Sequence, residues 1–250
     1  MRLKDKVAVV TGGSRDIGRA ISIKLAKEGA RVIVNFNNSE SGAKETVNEI
    51  IAVGGEAVAV KADVSKLGDI ENLKAKTLEA FGSNVDVLVN NAGGLFARKT
   101  LHELDELFYD LVMNVNFKST VFVMQAFVPL MGKGGSIVNI SSQAARDGGG
   151  GGSSLYASSK GAVSTFTRSM AKELGPKGIR VNALCPGLIG TKFHDDFTKD
   201  EIRNKVAGAT PLRREGSAEE VADLVAYIAS DEASFLTGNN VDINGGLAFS

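Results

Sequence analysis

Short apolar, β-branched runs alternate with longer amphipathic stretches from one end of the chain to the other. Val7 to Thr11, Arg31 to Phe36, Glu56 to Lys61, Val85 to Asn90, Ser136 to Ile140, Ile179 to Leu184 and Asn240 to Ile243 have the length and composition of strands. After the first of them, Ile17, Ala20, Ile21, Leu25 and Ala26 recur at the spacing of a one-sided helix over Ile17 to Glu28, which Gly29 closes. Comparable helices are predicted over Ser41 to Val53, Lys66 to Phe81, Leu104 to Val128, Tyr156 to Leu174 and Ala218 to Ser230. Such alternation predicts right-handed βαβ units and a parallel sheet covered on both faces. Val85 to Val89 is nearly all apolar, as befits a strand with no solvent face. The expected fold is α/β, a single domain over 1–250 with a doubly wound, seven-stranded parallel sheet.

Charge and composition narrow the functions this fold could serve. The chain balances 29 Lys+Arg against 29 Asp+Glu, whereas nucleic acids and anionic membranes select a surplus of positive charge, so neither is an expected partner. A hydrophobic share of 43% with only 4 Pro suits a globular core. No uninterrupted apolar run approaches the roughly 20 residues that span a bilayer. Met1 to Lys6 leads into the first strand without a signal-peptide pattern, and a cytoplasmic location is expected. One Cys and two separated His, His102 and His194, supply neither a disulfide nor a closed zinc site, so no metal centre is expected. Cys185, at the end of an apolar run before Pro186, reads as a small buried hydrophobe ahead of a nucleophile.

What remains prominent is glycine, 29 in number, often directly after strand-like runs. The first strand leads into Thr11-Gly12-Gly13-Ser14-Arg15-Asp16-Ile17-Gly18 and then a helix. A glycine turn at a helix start lets main-chain N–H groups approach a pyrophosphate, although alone it is a weak signal. It is followed by Asn90-Asn91-Ala92-Gly93, Val115-Asn116, Ile140-Ser141-Ser142, Tyr156-Ala157-Ser158-Ser159-Lys160 and Pro186-Gly187. Residues four apart share a helix face, so Lys160 can bring an ammonium near the Tyr156 phenol and favour its ionised form. A tyrosine tuned in this way can exchange a proton with a substrate oxygen.

Together and in this order the motifs resemble the short-chain dehydrogenase/reductase family, over essentially the whole chain. The resemblance implies a Rossmann fold and a catalytic tetrad of Asn116, Ser142, Tyr156 and Lys160, with Asn114 and Ser141 as neighbouring rivals. Asn116 would bring a helix distortion and a water linking Lys160 to solvent. Gly12, Ser14, Arg15, Ile17 and Gly18 would hold the dinucleotide, with Asp63 and Val64 at its adenine. Asn90, Ala92 and Gly93 would lie beneath it, Tyr156 and Lys160 beside it, and Pro186, Gly187, Ile189 and Thr191 over its nicotinamide. The spacing from Ser142 to Tyr156 is one residue longer than is usual in the family. The extra residue falls in Gly148 to Gly152, which reads either as a flexible surface loop or as part of the substrate mouth. Asp16 stands where the family has glycine; aspartate is a good N-cap, but its charge would sit near the pyrophosphate, with Arg15 to offset it.

These readings converge on reduction of a ketone or aldehyde by NAD(P)H, or the reverse oxidation. The alternative from another class is a non-catalytic binding protein. NADP(H) is the expected cofactor and NAD(H) a possible one, because Phe36, Asn37 and Asn38 offer no acid to the ribose where the second strand ends. The resemblance implies that Arg15, in the glycine loop, takes a 2′-phosphate, to which a guanidinium is well suited. Arg98, Arg146, Lys192 and His194 suggest a cationic rim, with Ser142 and Arg146 at the substrate. An anionic oxo-substrate is therefore expected, a 3-oxoacyl thioester or a keto sugar acid, with polyols as relatives of the latter. The family resemblance further implies a homotetramer.

Overall fold

In the computed structural model, which describes residues 1–192 and 197–249, all seven expected strands are present. They are β1 (Val7–Val10), β2 (Arg31–Phe36), β3 (Glu56–Lys61), β4 (Val87–Asn90), β5 (Ser136–Ile140), β6 (Arg180–Pro186) and β7 (Asn240–Ile243). All pair in parallel in the order β3-β2-β1-β4-β5-β6-β7. Chain order reverses between β1 and β4. Helices following those two strands diverge to opposite faces and leave a crevice at their carboxyl ends, where open α/β sheets bind ligands.

The helices are α1 (Asp16–Lys27), α2 (Glu40–Ala52), α3 (Leu67–Phe81), α4 (Glu106–Met113), α5 (Ser119–Phe127), α6 (Ala144–Asp147), α7 (Ser154–Leu174), α8 (Asp200–Ala209) and α9 (Ala218–Ala229). Side chains alternate across a strand, which accounts for the unbroken apolar runs. Ala8 and Val10 of β1 pack with Ile21 of α1, Ile50 of α2 and Val225 of α9, while Val7 and Val9 pack with Leu73 of α3, Phe127 of α5 and Leu174 of α7.

The helix expected over Leu104 to Val128 is divided. Asp105 caps α4 by accepting the Phe108 N–H, and a wider π turn over Asn114–Lys118 separates α4 from α5. By length and composition alone Glu106–Leu130 could cross a bilayer, but its Val112, Val123, Met124 and Phe127 are buried in the core. The short α6 and the polar α8 were not foreseen; the ten residues of α8 include only Ile202 and Val206 as large apolar positions, and none of them is buried.

Candidate active site

The carboxyl ends of the strands open into one continuous cavity of about 1230 Å³. Its first wall is the turn after β1, fixed by polar groups buried among apolar neighbours. Asn35 accepts the Gly12 N–H at 3.2 Å and donates to the Ala62 carbonyl at 3.0 Å, tying that turn to the end of β3. The Thr11 hydroxyl oxygen accepts the N–H groups of Asn91 and Ala92, and the Asn91 amide donates to the carbonyls of Thr11 and Gly12. Glycine is required here: Gly12 has φ +64, and a Cβ on Gly18 would collide with the Gly12 carbonyl. Ser14, Arg15, Ile17, Asn37, Asn38, Asp63 and Val64 line the same end of the cavity. Such a cradle fits the pyrophosphate and adenosine of a dinucleotide.

Asp16 does not cap α1. Arg15 occupies the cap position with extended backbone, while Asp16 itself lies at φ +50. Aspartate tolerates that left-handed region better than most residues do. Its carboxylate crosses the crevice to accept the Lys192 main-chain N–H at 3.0 Å and stands 3.7 Å from the Arg15 guanidinium.

At the other end of the cavity are Ser142, Tyr156 and Lys160, beside Pro186, Gly187, Ile189 and Thr191. The Ser142 hydroxyl faces the Tyr156 phenol and favours its ionised form, whereas the Ser141 hydroxyl donates to the Lys160 carbonyl and bonds Ser164. Of the two serines, only Ser142 lies on the tyrosine. Burial pushes the Tyr156 phenol up, opposed by the Ser142 hydroxyl. Lys160 donates to the Ile140 carbonyl at 2.7 Å, with its ammonium 5.9 Å from the centre of the Tyr156 ring, and burial lowers its pKa to about 8. In the protein alone, burial therefore favours the neutral form of both groups.

Asn116 and Asn90 lie behind the cavity wall. Within the π turn, Asn116 accepts the Gly94 N–H at 2.8 Å and donates to the Gly94 carbonyl at 2.9 Å. Asn90 donates to Asn139, which in turn donates to Thr167 of α7, so this pair braces β4 and β5 against that helix. Ala92 and Gly93 reach the cavity. Cys185 is free and fully buried.

The expected cationic rim is largely engaged elsewhere. Arg146 turns away from the cavity to Asp242 at 3.4 Å and donates to the Asn240 carbonyl at 2.8 Å, because the α6 turn carries it over the end of β7. Arg98 lines the cavity but donates to the carbonyls of Gly151 and Phe197, each at 3.0 Å. Lys192 is exposed at the edge, and His194 lies outside the described residues. Gly149 and Gly150 line the mouth. Gly148, Gly149 and Gly152 all have positive φ, so the glycine run is a shaped turn held by Arg98.

Sequence reasoning missed Asn35, whose signal was a polar residue interrupting the apolar run from Val32 to Phe36 in β2. It also missed Phe96. That residue has φ +64, beneath a tight turn closed by the Ala97 N–H on the Leu95 carbonyl, and its ring lies over Gly94 at the cavity wall. No local sequence signal marks such a turn.

A family model described as enoyl-(acyl carrier protein) reductase matches residues 12–248. A curated relative, the hydroxynaphthalene reductase-like protein Arp2 of Metarhizium guizhouense, is 37% identical over 256 residues, covering 98% of this chain and 95% of its own. Among solved structures, the short-chain dehydrogenase/reductase of Serratia marcescens superimposes with a TM-score of 0.94 at 34% identity, over 100% of both chains. A blue fluorescent protein from a metagenomic library, in complex with NADPH, gives 0.93 at 35% identity, also over 100% of both. The chain belongs to the short-chain dehydrogenase/reductase family and is an oxidoreductase of the nicotinamide-dependent kind.

Proposed function

We propose that this protein reduces a ketone with NADPH, with Tyr156 as the proton donor. The observation that carries this reading is the meeting of Ser142, Tyr156 and the buried Lys160 at the end of the crevice away from the glycine turn. A bound nicotinamide dinucleotide supplies the hydride. The Ser142 hydroxyl and the Tyr156 phenol converge on one carbonyl oxygen, orienting and polarising it, and Tyr156 gives up its proton as charge develops there. Lys160 keeps positive charge beside the phenol, and Asn116 holds the Gly93–Gly94 turn against both. Run in reverse, the same groups serve alcohol oxidation.

The preference for NADPH rests on Arg15, mostly exposed at the cavity edge beside Asn37 and Asn38, and on the absence of an acid at Phe36. The substrate reading shifts with the engagement of Arg98 and Arg146. Leu95, Phe96, Leu188, Ile202, Val206 and Leu247 line the cavity, which favours a ketone with an apolar, ring-sized body. The name of the Metarhizium relative is in keeping with this. An anionic 3-oxoacyl thioester or keto sugar acid is the second reading, supported by Lys192 at the mouth. Assembly as a homotetramer gives a use to the exposed Leu107 and Tyr109 of α4.

Turnover of cyclic ketones, acetoacetyl thioesters and keto sugar acids with each cofactor tests the whole reading. The highest kcat/KM is expected for a cyclic ketone with NADPH, and Arg15→Ala should erode the preference over NADH. Tyr156→Phe should lower turnover by roughly a thousandfold while NADPH still binds, since the ring stays and only the transferable proton is lost. Turnover within a few-fold of the parent would end the tyrosine-acid mechanism.

A further inference from the structure

Asp16 carries two costs that a glycine at the same place would not. Its φ of +50 is unfavourable for an L-residue, and its charge stands beside the turn that would receive a pyrophosphate. What glycine cannot provide is the side-chain acceptor for the Lys192 N–H, 176 residues further along the chain. The segment leading to Lys192 is held on its β7 side by main-chain bonds, Gly187 N–H to the Ile243 carbonyl at 3.0 Å and Gly190 N–H to the Gly216 carbonyl at 2.9 Å. Beyond Thr191, Asp16 supplies a tie to the opposite wall. Both Asp16 and Lys192 line the cavity, so this bond spans the crevice.

We infer that Asp16 is a positioning residue whose carboxylate straps the segment after β6 to the pyrophosphate turn, holding that segment across the cofactor crevice. The inference rests on the nicotinamide reading above for its consequence, but the strap itself is a property of the free protein. A dinucleotide seated in the crevice leaves only when the strap opens. Release is therefore slower than the turn and the segment would allow separately.

Two variants separate the bond from the charge. Asp16→Gly removes both and suits φ +50, whereas Asp16→Asn keeps an acceptor oxygen and removes only the charge. Hydrogen exchange of the free protein is expected to show the Lys192 amide protected in the parent and in Asp16→Asn. In Asp16→Gly it should exchange roughly tenfold faster, the scale of one lost hydrogen bond. Dissociation of NADPH, followed by its fluorescence during displacement, should accelerate by about the same factor in Asp16→Gly but not in Asp16→Asn. Equal Lys192 exchange in the parent and Asp16→Gly would overturn the strap, as would Asp16→Asn behaving like Asp16→Gly. A parent that binds no NADPH would instead remove the nicotinamide reading and the claim about release, while the exchange result still decides whether the bond forms.

Discussion

Lys160 shows how one side chain's surroundings alter what its sequence position promises. The four-residue spacing from Tyr156 points to direct stabilisation of a phenolate, but the ammonium is turned onto the Ile140 carbonyl and stands 5.9 Å from the centre of the ring. Burial lowers its pKa to about 8, so the positive charge is complete below that pH and is lost as the pH rises through it. The proposed reduction uses both that charge and the phenol proton, so kcat/KM for reduction is expected to fall as pH rises past about 8. Lys160→Arg keeps its charge throughout and should move this limb to higher pH. A pH–rate profile in which the variant's alkaline limb coincides with the parent's would assign the limb to another group.

Among the elements, the inner strands β1, β2, β4, β5 and β6 were readable because they are buried on both faces and largely apolar, whereas the edge strands β3 and β7 are partly exposed and were readable from their β-branched residues. Helices such as α1 and α9 were readable because one face alone is apolar. Element α8 was not, since it buries no residue and so has no periodicity to read. The π turn entered the sequence reading only through the family resemblance at Asn116. The destinations of Arg98 and Arg146 were not legible either, because a charged side chain's partner is set by tertiary contacts, here main-chain carbonyls and Asp242. That π turn has a consequence which can be measured. A Cβ added to Gly93 would lie 2.6 Å from Asn116 Oδ1 and 3.0 Å from Lys160 Nζ, so Gly93→Ala must displace one or both. Turnover is expected to drop roughly a hundredfold, the scale of an ångström-sized misplacement at a reacting centre. Gly161→Ala on α7, where the added methyl meets nothing within 4 Å, is the control and should leave turnover unchanged. Equal activity in the two variants would separate the π turn from the chemistry.

Over the whole molecule, the parallel sheet places chemistry and stability at opposite ends of the same strands. Tyr156, Ser142 and the glycine turn gather at the carboxyl ends, whereas the first residue of β6, Arg180, is buried at the amino end. Arg180 donates to the Ile228 carbonyl at 2.7 Å and to the Ser230 carbonyl at 3.0 Å, closing the carboxyl terminus of α9. A cation is well placed there, where the last carbonyls of a helix lack partners and carry partial negative charge. The β5 neighbour Ser136 also bonds the Ile228 carbonyl, so Ser230 depends on Arg180 more than Ile228 does. Arg180→Met retains most of the apolar stem and removes both bonds, which should cost about 2–3 kcal/mol. For a domain of this size that corresponds to a fall in Tm of about 5–10 °C. With the reacting groups a strand's length away, kcat/KM at a temperature where the variant is folded should equal the parent's. Tyr156→Phe should show the converse, an unchanged Tm with turnover gone. Thermal melts and steady-state kinetics on the two variants test the division directly, and an Arg180→Met protein that melts with the parent, or that loses turnover while still folded, would show that the two ends are not independent.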